Sequence, residues 1–183
     1  VIKRYISYIH MLPASEDHHH AHTGGLLTHS LEAAYESLRW SKERKYSATG
    51  MMDLDAQIKP IMDYCAWLSA LLHDAGKIMR DISVDPVEVI HPLTRRPVPM
   101  QDVIVSWRPQ KESLTQWAKS HNISAYSATF IRNRTHNRHN IDSSQILQPL
   151  LRDSYAMDYI LSSPMKQELY SEVVRVLSGY TTS

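Results

Sequence analysis

The chain has 183 residues, enough for one domain with a sizeable core, and its 43% hydrophobic and 21% charged residues are ordinary for a globular protein. A formal net charge of +1 excludes a global attraction to nucleic acid or membrane, so any polyanion must be held by a local patch. The single cysteine, Cys65, excludes an internal disulfide and points to a cytosolic protein. The longest apolar stretch, Tyr64 to Leu72, is too short to span a bilayer, so no membrane insertion is expected. No signal peptide opens the chain, and its start at Val1 without methionine suggests a fragment of a longer protein.

In chain order, Tyr5 to Met11 reads as a short helix ended by Pro13, and Ser15-Glu16-Asp17 leads into a histidine-rich loop. Eleven histidines is a high count, and His18, His19, His20 and His22 cluster in that loop. Thr23-Gly24-Gly25 is a tight turn. From Leu26, the positions Leu27, Leu31, Ala34 and Leu38 recur at helical spacing, giving a helix that ends near Lys45. After a connector, Asp53 or Asp55 can cap the next helix. Its buried stripe is Ile58, Ile61, Met62, Cys65, Leu68 and Leu72, Cys65 being inert core, and Gly76 stops it. The segment from Asp81 to Trp107 carries four prolines and reads as a small hairpin, with strands Val84–Ile90 and Val103–Trp107 and Thr94-Arg95-Arg96 at the tip. Helical patterns resume around Leu114-Trp117-Ala118, from Ala125 to Arg134, from Ser143 to Tyr159 with a break expected at Pro149, and from Pro164 to Leu177. With no repeat and no linker, residues 1–183 read as a single, mostly α domain with a small β-hairpin insertion.

The most informative residues are His73-Asp74, an adjacent imidazole and carboxylate at the end of an apolar helix. Together with His29 near the start of the preceding helix, they offer the mixed nitrogen and oxygen donors that a divalent transition metal accepts. A lone histidine beside a buried stripe is more often structural, and His-Asp pairs arise by chance. It is the combination of the two that carries weight. His136 and His139, spaced i,i+3, can share one helical face, while His91 is a weaker candidate that serves equally well as a hairpin residue. Lys77 stands where an ammonium could hold a phosphate oxygen, or simply offset the helix dipole.

The segments Gly24-Gly25-Leu26-Leu27-Thr28-His29-Ser30-Leu31 and Leu71-Leu72-His73-Asp74-Ala75-Gly76-Lys77 resemble the HD-domain phosphohydrolase superfamily. That resemblance implies an HD-domain helical bundle in which His29, His73 and Asp74 bind a divalent metal (Mn, Mg or Fe, one or two ions). A later aspartate would close the shell: Asp153 first, then Asp158 or Asp142. His136 and His139 would serve a second ion, and Lys77 the phosphate. The flanking Leu12-Pro13-Ala14-Ser15, His18-His19-His20, Trp107-Arg108-Pro109 and the Arg-x-Arg-x-His run at 132–136 resemble more narrowly the N-terminal HD domain, of TraI_2 type, of MOBH-type conjugative relaxases.

This narrower resemblance implies cleavage of one DNA strand at the transfer origin of a conjugative plasmid or integrative element, in the bacterial cytoplasm. Single-stranded DNA and other conjugation proteins would be the partners. Arg132, Arg134, Arg138 and His139 would contact phosphates, with His20 the first choice from the histidine-rich loop. A tyrosine nucleophile is the mechanism of better-known relaxases, and Tyr5 and Tyr8 are the candidates beside that loop. The alternative is a phosphohydrolase acting on nucleotides or phosphodiesters, in which water attacks and no tyrosine is needed. A third possibility is a non-enzymatic HD scaffold that binds DNA or a transfer partner.

Overall fold

The computed structural model describes residues 1–43, 50–100, 106–132, 146–152, 154–163 and 165–177. It is mostly helical with a small antiparallel sheet. Helix α1 (Ile2–Ile9) buries Tyr5 and Ile9, one turn apart. Helix α2 (Gly25–Glu43) packs along α3 (Met52–Leu72). The predicted stripe of α3 is largely the observed one: Ile58, Ile61, Cys65, Leu68 and Leu72 are buried at steps of three and four residues. Burying each such side chain contributes about 1.5–3 kcal/mol, which offsets the cost of about 3 kcal/mol for Pro60 inside the helix. On α2 the buried face is Leu26, Ser30 and Ala34, whereas the expected Leu31 is exposed.

Several boundaries differ from expectation for identifiable reasons. Neither Asp53 nor Asp55 caps α3. The N-cap is Met51, and both acids lie in the first turn, where they favour the helix dipole. Helix α3 ends at Leu72, well before Gly76, with His73 at its C-cap. Gly76 has an ordinary right-handed φ of −66° and opens a short helix, α4 (Lys77–Arg80), so it does not act as a left-handed stop.

The sheet has the order β2-β1-β3, formed by β1 (Ile82–Ile90), β2 (Pro97–Pro99) and β3 (Ile123–Phe130). The expected hairpin tip is present: the His91 N–H donates to the Arg96 carbonyl, and the Arg95 N–H to that of His91. His91 Nδ1 accepts from the N–H groups of Leu93 and Thr94, so His91 acts as a turn residue. Pro97–Pro99 is the strand that returns against β1, and the expected strand Val103–Trp107 falls mostly outside the described residues. Trp107 donates its N–H to the Val84 carbonyl without strand pairing, and residues 101–105 lie outside the described segments.

The helix expected over Ala125 to Arg134 is instead strand β3, paired from Ile82↔Phe130 to Val89↔Ile123. Its two alanines suggested a helix. Ile123, Tyr126, Thr129 and Phe130, with outward Ser127 and Thr129 alternating against Tyr126, Ala128 and Phe130, suit a half-buried strand once β1 supplies the ladder.

Helix α5 (Leu114–Ser120) opens with a Ser113/Gln116 capping box and packs on α1 and β3. The long helix expected over Ser143 to Tyr159 is observed as α6 (Leu147–Leu151) and α7 (Tyr155–Leu161). Pro149 sits in the first turn of α6, where a missing N–H costs little, and the chain breaks after Leu151 instead. Helix α8 (Lys166–Leu177) packs against α3. The core joins Tyr5, Leu12, Leu26, Leu68, Leu72, Ile78, Leu114 and Trp117.

Candidate metal centre

The end of α3 and the start of α2 bring three donors together. His29 Nε2 lies 3.2 Å from His73 Nε2 and 3.2 Å from Asp74 Oδ2, and His73 Nε2 lies 3.5 Å from the same oxygen. Among the described residues, His29, His73 and Asp74 are the His/Cys/Asp/Glu group that could hold a metal ion, their ligand atoms all within 4.8 Å of one another. The two histidines are partly exposed and Asp74 is buried.

Neighbouring groups fix each donor. His73 Nδ1 lies 2.8 Å from the Ala70 carbonyl. With the proton on Nδ1, as that carbonyl requires, Nε2 presents a lone pair to the cluster, the usual second-sphere arrangement of a metal-binding histidine. Lys77 Nζ donates to Asp74 Oδ2 at 2.7 Å and to the Ala14 carbonyl at 2.9 Å. That carbonyl belongs to the loop before α2. The lysine therefore clamps the Asp74 carboxylate and the loop at once, with one N–H left over. Burial holds the His29 imidazole below the ordinary histidine pKa. The Asp74 charge opposes this shift, and His73, Lys77 and His20 reinforce it. A neutral imidazole is the form that binds metal.

The histidine-rich loop is folded against the centre. The Ala14 N–H donates to the His20 carbonyl at 3.0 Å, the Gly25 N–H to that of His22 at 2.9 Å, and the Leu26 N–H to that of Leu12 at 2.9 Å. His20 adopts a left-handed φ of 61°. Gly25 is needed here: a Cβ at that position would stand 1.8 Å from the His20 carbonyl oxygen. The loop thus sets the His20 ring 5.5 Å from that of His29, with His20 Nε2 2.9 Å from Glu32 Oε2. Glu32 was not singled out from the sequence, although it lies three residues after His29, on the adjoining helical face. His18, His19 and His22 are exposed.

Tyr5 is 1% exposed, its hydroxyl 3.2 Å from Ser30 Oγ beneath His29, and burial drives its pKa upward. Tyr8 is half-buried with its ring 6.3 Å from that of Trp107, and burial raises its pKa too. Arg132 is exposed just after β3. Asp158 is exposed in the first turn of α7. Arg134, His136, Arg138, His139, Asp142 and Asp153 lie outside the described residues.

A family model described as "TraI_2: Putative helicase" matches residues 1–183. The chain belongs to the TraI_2 family. No curated protein and no solved structure matches it. Within its 183 residues the TraI_2 chain has no G-x-x-x-x-G-K-[ST] phosphate loop, the usual cradle for the nucleotide of a helicase motor. No helix among the described residues is long and apolar enough to cross a membrane.

Proposed function

We propose that the TraI_2 chain is an HD-type, metal-dependent relaxase domain of the MOBH kind, cutting one DNA strand at the transfer origin of a conjugative element in the bacterial cytoplasm. The observation that carries this reading is the convergence of His29, His73 and Asp74 with Lys77 on the ligand carboxylate. The donor set fits a divalent cation. Two imidazole nitrogens and a carboxylate oxygen crowd together at 3.2–3.5 Å, and His73 already uses its Nδ1 proton on a backbone carbonyl. A bound Mn, Mg or Fe ion would supply Lewis-acid polarisation of a phosphate oxygen.

The protein's part is to position and neutralise. Lys77 orients Asp74 and offers its remaining N–H to a phosphate oxygen. His20 and Arg132, with Arg134, Arg138 and His139, contact the neighbouring phosphates of the single strand. Asp153 and His136 complete the ligand set, and other conjugation proteins deliver the origin.

Burial of Tyr5 favours a second reading of the attack. A phenol 1% exposed, with its pKa driven upward, is a poor nucleophile for a DNA strand, while Tyr8 retains some exposure. Water attack, as in an HD phosphohydrolase acting on nucleotides or phosphodiesters, needs neither tyrosine. The deciding experiment incubates the 183-residue chain with single-stranded origin DNA or with nucleotides, in Mn, Mg or Fe. Cleavage at one position of the DNA supports the proposal, and a covalent protein–DNA adduct separates tyrosine from water attack. Rapid nucleotide hydrolysis with intact DNA would replace the relaxase reading with the phosphohydrolase one.

A further inference from the structure

Away from the metal centre, His10 Nδ1 and Tyr126 Oη are buried without a hydrogen-bond partner among the described residues. A buried donor or acceptor left unmade costs free energy, so two of them in one place call for an explanation. Both residues line the same cleft of about 310 Å³. Its walls include the apolar side chains of Leu114 and Ile123, and Lys119 and Asn122 add polar groups. Tyr126 also lines an adjoining cleft of about 430 Å³, whose other wall is Ala21 and Thr23 of the histidine-rich loop. The two clefts therefore meet at Tyr126, one of them against the loop that carries His20.

We infer that the cleft at His10 and Tyr126 takes a nucleobase of the DNA strand, with Lys119 receiving its phosphate. This rests on the reading of the metal centre as one that cuts a DNA strand. A base matches what the cleft lacks and what it offers. Its flat faces suit the apolar walls. Its edge presents both hydrogen-bond donors and acceptors, which His10 Nδ1 and Tyr126 Oη can meet once those side chains turn toward the cleft, both atoms being closed to solvent as they stand. Burial raises the Tyr126 pKa, so the phenol keeps its proton and can donate. The volume stands at the low end for small-molecule sites, which suits one nucleotide and not several. Lys119 is exposed, as a phosphate contact at the mouth of a pocket should be.

The test titrates the 183-residue chain, in EDTA, with each deoxynucleoside 5′-monophosphate and with the matching nucleosides, by calorimetry. At least one monophosphate is expected to bind. Tyr126→Phe should weaken it by about tenfold while leaving the thermal midpoint unchanged or higher, because it deletes an unsatisfied buried hydroxyl. Lys119→Ala should weaken the monophosphate and spare the nucleoside. The proposal is overturned if wild-type protein binds none of them, as when only water fills the cleft, or if both variants bind like wild type. EDTA keeps this separate from the strand-cutting reading: loss of base binding with metal-dependent cleavage intact removes only the pocket. Base binding without any metal-dependent cleavage removes only the reading of the centre.

Discussion

Tyr5→Phe tests whether Tyr5 is the attacking group and can be worked from the geometry. The substitution removes one hydroxyl and nothing else. That hydroxyl meets Ser30 Oγ at 3.2 Å, with Tyr5 1% and Ser30 0% exposed. Removing one partner of a buried pair forfeits the bond and leaves the other polar atom dry, so the cost is about 1–2 kcal/mol. For a domain of this size each kcal/mol moves the thermal midpoint by about 2–4 °C, giving a fall of roughly 2–8 °C by calorimetry. Adding Ser30→Ala to Tyr5→Phe removes the stranded atom, so the double-variant cycle should show a coupling of about 1 kcal/mol. Cleavage of single-stranded origin DNA should persist within about threefold below the midpoint, since a phenol so buried serves packing between α1 and α2. If Tyr5 were the nucleophile, cleavage would fall by about a thousandfold or more and the adduct would vanish while the fold held. That result would refute the structural role assigned to Tyr5.

Three further outcomes test the centre. His73→Ala and Asp74→Ala should each abolish tight binding of Mn in calorimetric titration, whereas Lys77→Met should retain measurable binding, because it removes no donor atom, only the ammonium that shares Asp74 Oδ2. Gly25→Ala should lower the midpoint by several degrees and weaken Mn binding, since a Cβ 1.8 Å from the His20 carbonyl must push the loop off α2. The pH dependence follows from His29. Its pKa in the folded chain lies below the unfolded value of about 6.5, so the unfolded chain takes up the proton first as pH falls. Its contribution to stability in EDTA is therefore intact above about pH 6.5 and is lost as pH falls through the folded pKa. Denaturant midpoints measured from pH 8 to 5 should fall less steeply in His29→Asn than in wild type, and equal slopes would contradict the assigned shift.

The residues that build the centre were largely legible in the sequence because their signals are local. The α3 stripe has a strict helical period, and the His73-Asp74 pair directly follows its last buried leucine. The glycine turn before His29 likewise announces a close backbone approach, which the contact at His20 makes concrete. Strand β3 was not legible, because Ala125 and Ala128 favour a helix locally, and the choice is made by a partner strand more than thirty residues earlier. The same holds for Lys77, whose sequence position suggested a phosphate contact or a partner for the helix dipole: its bonds to Asp74 and to Ala14, which reaches it through the tertiary fold, had no local signal.

That ammonium has a consequence for how the molecule opens. Because Lys77 binds Ala14 of the loop and Asp74 of the turn, neither segment can swing out without breaking a contact of the other. Loop and turn then form one cooperative opening unit. In hydrogen exchange, the amides of Ala14, Gly25 and Leu26, which pair across the loop, should share a common opening free energy with the Lys77 amide of the turn. Substituting Lys77 by methionine should split that unit into two, with the loop exchanging first.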